Sequence, residues 1–199
     1  SGQVPVLECI GVERRFGGLV AVSGVDLRLE KGEIFGLVGP NGSGKTTLTN
    51  AITGFYPPQK GKILLGGRDI TGTAPHKVAG MGVARTFQNL ALFNGMSVLD
   101  NILLGRHIHM NPGVIRTALY WWLARPQEIA NREVVEEVID FLQLESIRHE
   151  MVDGIPIGLK KRVELARALV AEPHLLILDE PMAGMNQEEK EYMARFILD

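Results

Sequence analysis

Nine consecutive residues, Gly39-Pro40-Asn41-Gly42-Ser43-Gly44-Lys45-Thr46-Thr47, place three glycines, a lysine and two threonines at the spacing G-x-x-x-x-G-K-[ST]. Glycines at Gly39, Gly42 and Gly44 let the backbone wrap closely around a polyphosphate that side chains would otherwise obstruct. Successive backbone N–H groups then point inward as an anion nest at a helix N-terminus, where the helix dipole also favours negative charge. At these positions Lys45 reaches the β- and γ-phosphates and the Thr46 hydroxyl ligates Mg²⁺. A glycine-rich turn with an exposed lysine would carry some of the same letters. The flanks argue for the phosphate loop: Ile34, Phe35, Leu37 and Val38 form an apolar run before it, and a helix-compatible segment follows.

A second group of chemically useful residues comes late. Leu175 to Pro181 reads LLILDEP, four apolar residues followed by two acids. A buried strand of this kind puts Asp179 at its carboxyl end, where open α/β sheets bind ligands. Asp179 is then placed to hold Mg²⁺ and Glu180 to accept a proton from an attacking water. A strand followed by an acidic turn is common in itself. An upstream phosphate loop supplies the metal that the two carboxylates need.

The elements that must position these groups follow from periodicity. Val4 to Val12 and Val20 to Leu29 read as antiparallel strands, and Ile34 to Val38 as a buried strand running into the glycine loop. Thr46 to Thr53 is the helix after it, ended by Gly54 and Pro57-Pro58. Lys62 to Leu65 is a strand with Gly66-Gly67 as a hairpin turn, and Val83 to Phe87 is a core strand reaching Gln88. From Ser97 the pattern turns helical, with Ser97 as N-cap for Val98 to Leu104 and Asp100 in the first turn. Further helices are expected over Val114 to Ala124 and Pro126 to Leu142, the latter with Val134, Val135, Val138, Ile139 and Leu142 on one face. Strand character returns only at Leu175 to Leu178, so a helical block lies between two halves of a mixed sheet. No internal repeat or low-complexity tract interrupts this order.

Composition bounds the function. With 199 residues, 45% hydrophobic and 22% charged, the chain can bury a substantial core. A net charge of −2 provides no basic field for nucleic acid. One cysteine, Cys9, cannot form an internal disulfide, which points to a reducing, cytoplasmic setting. The longest apolar runs fall well short of the ~20 residues that span a bilayer, so a membrane role must come through a partner. His107 and His109 share a face only in a strand and are not expected to form a metal site in a helical region. Gln187 to Arg195 reads as a solvated helix face.

Between the two motifs, Gly158 to Pro173 reads GLKKRVELARALVAEP, and here the chain resembles the ABC ATPases. Arg162, Leu165, Ala166, Arg167, Ala168 and Leu169 match the helix that follows that family's signature loop. Phe16, in RRFGG, falls where the family carries an aromatic that stacks on adenine; by itself a phenylalanine is as readily a core residue. Gln88 falls at the Q-loop, whose glutamine in the family reaches Mg²⁺ or the catalytic water; alone it reads as a surface amide. Ala183 to Asn186 is similar to the D-loop. RFGGLVAV, GMGVARTFQNLALFNGMSVLDN and the segment around Tyr120 to Trp122 resemble, more narrowly, the ATP-binding subunits of branched-chain amino-acid importers. Trp121-Trp122 reads as packing of the helical block, or as an exposed docking patch.

The resemblance implies an α/β P-loop NTPase core, a mixed and mainly parallel sheet with helices, carrying an antiparallel β subdomain and an inserted α-helical subdomain. Residues 1–94 and 165–199 make the core and 95–164 the helical subdomain with its signature loop. It also implies ATP and Mg²⁺ as ligands. The binding residues are Phe16, Gly39, Pro40, Asn41, Gly42, Ser43, Gly44, Lys45, Thr46, Thr47 and Gly158. Thr46, Gln88 and Asp179 serve the metal, and Glu180, Gln88 and Lys45 serve hydrolysis.

Implied partners are a second ATP-binding subunit, transmembrane permease subunits and, indirectly, a substrate-binding protein, with the chain peripheral on the inner face of the membrane. Two departures stand out. The signature, commonly L-S-G-G-Q, is here Ile155-Pro156-Ile157-Gly158-Leu159, so the serine that meets a partner-bound γ-phosphate is Pro156 and the first glycine is Ile157. ATP binding is expected to be kept, and the altered signature bears on the strength of the dimer sandwich. No histidine follows Glu180, whereas family members continue through further strands to a switch histidine, so the C-terminal part of the core is expected to be missing. A soluble ABC ATPase outside transport, or an ATP-holding module with little turnover, are the other classes open to such a sequence.

Overall fold

The computed structural model describes residues 4–86, 92–108 and 127–198. The chain divides into two compact units, residues 1–83 and 84–199.

The first unit is built on a four-stranded antiparallel sheet in the order β2-β1-β3-β4. Its strands are β1 (Leu7–Phe16), β2 (Leu19–Leu29), β3 (Lys60–Leu65) and β4 (Arg68–Asp69). The sequence places β1 and β2 as an antiparallel pair, and they pair with Leu7 opposite Leu29 and Phe16 opposite Leu19. Their inner residues are apolar: Leu7, Cys9, Val12, Val22 and Ile63 are buried. Burial pushes the Cys9 thiol up to about 11, which leaves it protonated and unreactive at neutral pH. The β3–β4 hairpin turns through Gly66-Gly67, as its spacing predicts.

Helix α1 (Lys45–Ile52) follows the glycine loop, buries Leu48, Ala51 and Ile52, and packs against β2. A short helix, α2 (Pro75–Ala79), starts on a proline at its first position, where no N–H is required.

One expected element does not form. Residues 34–38 make no strand, and Ile34, Phe35, Leu37 and Val38 are exposed, Val38 to 92%. An apolar run of this type becomes a strand only when neighbours bond it along both edges. Among the described residues no strand pairs with it. The hydrophobic letters record a preference for burial and carry no information about which partner provides it.

In the second unit, β5 (Val83–Arg85), which begins at the boundary, is hydrogen-bonded to β6 (Leu175–Ile177), and the Thr86 N–H donates to the Ile177 carbonyl at 3.0 Å. Among the described residues, α3 (Val98–Ile108), α4 (Gln127–Phe141), α5 (Ile157–Leu169) and α6 (Gln187–Leu198) surround one core. Val98, Ile102, Val135, Ile139, Val163 and Met193 are buried together in it. The core thus joins residues of the inserted helical block to those beside β6. Helix α4 turns the face predicted from its valines inward, with Val135 and Ile139 buried and Leu142 buried just past its end. Helices α3 and α5 meet at Gly105, where a β-carbon would stand 2.4 Å from the Arg167 carbonyl oxygen. The expected helix over 114–124, with Trp121 and Trp122, lies outside the described residues, as does His109.

Ser97 caps α3 as its position predicts. Its hydroxyl accepts the Asp100 N–H at 3.1 Å and donates to the Asp100 carboxylate at 2.7 Å. Ser97→Ala removes both bonds and is expected to lower stability by about 1 kcal/mol, measured from the shift in urea unfolding at constant m-value.

Candidate nucleotide-binding site

In the first unit, the loop 39–47 is shaped by its backbone. Gly42 and Gly44 have φ of 82° and 90°, in the left-handed region that glycine enters without strain. Gly44 is the N-cap of α1, and a β-carbon there would lie 2.1 Å from the Ala21 carbonyl oxygen on β2. Only glycine allows α1 to begin this close to the sheet. Gly44 offers no side chain to cap the helix, so the donors of its first turn stay available to an anion. Lys45, half-buried, donates its ammonium to the carbonyls of Gly39 at 2.5 Å and Pro40 at 2.9 Å. This folds the lysine back onto the backbone of the loop. Thr46 is exposed on the same turn.

Phe16 stands at the end of β1 and is 41% exposed, which removes the reading of it as a core residue. Tyr56 meets it edge-on with ring centroids 5.5 Å apart, and the Arg14 guanidinium lies 4.8 Å from the Phe16 centroid. Arg14 is held there by donating to the Pro57 carbonyl at 2.7 Å. The result is a supported aromatic surface of the kind on which a flat base can stack. Sequence reading singled out Phe16 without Arg14 or Tyr56. The Phe55-Tyr56 pair just before Pro57-Pro58 was the available signal.

In the second unit, β6 ends as the sequence requires, with Asp179 and Glu180 directly after the apolar run. The Asp179 carboxylate accepts from the Arg85 guanidinium at 2.7 Å, and its N–H donates to the Thr86 hydroxyl at 3.4 Å. Arg85 was not among the residues expected to matter. A charged residue inside a short, otherwise apolar strand was its signal, because such a group requires a buried counter-charge.

Glu180 adopts φ of 48°, left-handed backbone that a non-glycine residue occupies at a cost of about 1–2 kcal/mol. Its carbonyl accepts from the Lys161 ammonium at 2.9 Å and the Ala183 N–H at 3.1 Å, which hold the turn, while the residue itself is exposed.

Gly158 lies in the first turn of α5, which begins at Ile157 after Pro156 as N-cap. It is buried, with the Glu189 side chain over it, whereas Pro156 and Ile157 are exposed. Gln88 lies outside the described residues.

Mg²⁺ is a hard cation that keeps several waters and takes few protein oxygens. In the first unit Thr46 exposes a hydroxyl, and in the second the Oδ1 of the Asp179 carboxylate makes no hydrogen bond among the described residues; each is an oxygen donor of the kind this cation takes. Among the described residues no cluster of three or more His, Cys, Asp or Glu forms a metal cage.

The chain can be set beside known proteins on this footing. A family model described as ABC transporter matches residues 22–183. The high-affinity branched-chain amino acid transport ATP-binding protein BraF of Pseudomonas aeruginosa is 38% identical over 193 residues, covering 97% of this chain and 76% of that protein. LivG of Escherichia coli strain K12, a protein of the same description, is 36% identical over 195 residues, covering 98% and 76%. Among solved structures, a nucleotide-free ATP-binding cassette from an ABC transporter superposes with a TM-score of 0.80 at 31% identity, covering 98% of this chain and 76% of that one. A cassette solved in its ADP conformation, with the same identity and coverage, gives 0.82. With a family model along most of its length and relatives of this identity along nearly all of it, the chain belongs to the ABC transporter family, among its ATP-binding proteins.

Proposed function

We propose that the protein binds and hydrolyses ATP as the cytoplasmic motor subunit of an importer for branched-chain or related amino acids. The observation that carries this reading is the identity to BraF and LivG along nearly the whole chain. Residues 39–47 cradle the triphosphate, Lys45 neutralises its β- and γ-phosphates, and Phe16 with Tyr56 and Arg14 receives the adenine. Thr46, Asp179 and Gln88 serve Mg²⁺, which when bound neutralises charge on the phosphates. Glu180 accepts the proton of the attacking water.

The site is completed by a second ATP-binding subunit that presents its signature loop at the start of α5, where Pro156 and Ile157 are exposed and Gly158 lies beneath the Glu189 side chain. Residues 1–94 and 165–199 act as the ATPase core, and 95–164 transmit closure to transmembrane permease subunits. Among the described residues no helix is long and apolar enough to cross a membrane, so the permease supplies the passage. A substrate-binding protein on the far side delivers the amino acid.

The protein, tagged and recovered from membranes of its own cells, is expected to bring a multi-spanning membrane protein with it and to release phosphate from ATP in that complex. Recovery with soluble partners alone would place it outside transport. A membrane complex without phosphate release would leave an ATP-holding module.

A further inference from the structure

Arg85 is a cation set deep beside the metal-binding carboxylate, and the site as proposed gives it no task. Its side chain is 8% exposed and that of Asp179 16%, with the guanidinium and the carboxylate Oδ2 2.7 Å apart. Burying an arginine is costly unless a partner and further hydrogen bonds compensate it. The pair is fixed from both sides. Arg85 ends β5, Asp179 follows β6, and Thr86 bridges the two through its N–H to Ile177 and its hydroxyl from the Asp179 N–H. Thr86 is itself buried.

The two oxygens of Asp179 are therefore unlike. Oδ2 is held by Arg85, while Oδ1 makes no hydrogen bond among the described residues. A carboxylate with one oxygen anchored cannot rotate freely about its last bond. Its second oxygen is presented in one direction, and outer partners of this kind orient metal-binding groups and set their affinity.

We infer that Arg85 is a positioning residue for the cation site: it anchors Oδ2 of Asp179 so that Oδ1 is offered to Mg²⁺ or to a water of its shell. The inference rests on the proposed assignment of Asp179 to Mg²⁺. It separates Arg85 from the phosphate loop, which binds the triphosphate itself. Loss of Arg85 weakens the metal's contribution to nucleotide binding and leaves metal-free binding alone. Lysine at this position keeps the charge but not the planar fork, and restores only part of the effect.

The test is the ratio of ATP dissociation constants in excess EDTA and in excess Mg²⁺, read with a fluorescent ATP analogue on the wild-type protein, Arg85→Met, Arg85→Lys and Asp179→Asn. The ratio is expected to fall about tenfold in Arg85→Met and in Asp179→Asn, and less in Arg85→Lys, with the EDTA value unchanged within about twofold. A ratio that falls in Asp179→Asn but stays at the wild-type value in both Arg85 variants overturns the role of Arg85 and leaves Asp179 at the metal. A ratio unchanged in every variant removes Asp179 as well. Equal losses with and without Mg²⁺ in Arg85→Met and Arg85→Lys mean that the arginine only supports the fold. Should Arg85→Met fail to fold, Arg85→Lys against Asp179→Asn carries the same comparison.

Discussion

Glu180→Gln is expected to slow ATP hydrolysis by about 10²–10⁴-fold, the usual contribution of a positioned general base, while ATP still binds with near wild-type affinity. The two side chains have nearly the same shape, so the turn survives the change. Its supports are main-chain contacts: the Glu180 carbonyl takes the Lys161 ammonium and the Ala183 N–H, and neither bond involves the carboxylate. Glutamine removes only the ability to accept a proton. Steady-state phosphate release on the complex, beside a titration with a slowly hydrolysed nucleotide, reads the two quantities separately. Turnover at the wild-type rate would assign the base to another group. A parallel loss of affinity would mean that the turn had collapsed. The left-handed backbone at Glu180 makes the comparison informative, because that strain is shared by both residues and cancels.

Lys45→Ala is expected to weaken ATP binding by about 100-fold or more, since a hydrogen-bonded contact to a charged group is worth about 1.5–3 kcal/mol and a phosphate left without its counter-charge adds to the loss. The ammonium already sits against the carbonyls of Gly39 and Pro40. Removing it takes away both the ligand's counter-charge and two bonds that brace the loop. Calorimetric titration measures the effect, and unaltered affinity would remove residues 39–47 from the nucleotide site. Helix α1 should persist in the variant, because Leu48, Ala51 and Ile52 hold it from the other face. Circular dichroism close to that of the wild type would show the loss to be local.

What the letters disclose differs between elements for a physical reason. The glycine loop, α1, the Ser97 cap and the inward face of α4 are set by residues within a few positions of one another, and each forms where periodicity places it. The run 34–38 has equally strong local character, yet it is exposed and unpaired, because a strand is defined by neighbours remote in sequence. The same limit hid Arg85, whose partner lies 94 residues away. Phe16 could be placed on the surface only once it was seen at the end of β1, opposite Leu19 and exposed. The places of Lys45 and Thr46 at the start of α1 and of Asp179 and Glu180 after β6 were therefore legible, and the groups that brace them were not. Bracing is achieved by tertiary contact, which leaves its mark as isolated oddities such as an arginine in an apolar strand.

The close approach of Glu189 to Gly158 ties the signature turn to the helix that follows it. Glu189 accepts the Asn186 N–H at 2.9 Å while Asn186 accepts the Glu189 N–H at 2.9 Å, so the acid is pinned at the start of α6 and its carboxylate rests over the signature turn. A β-carbon on residue 158 would stand 2.2 Å from its Oε1. A larger residue at 158 would therefore push the Glu189 carboxylate, the far end of a flexible side chain, off the signature turn and away from the Asn186 N–H. One side chain thus joins the signature turn to the start of α6.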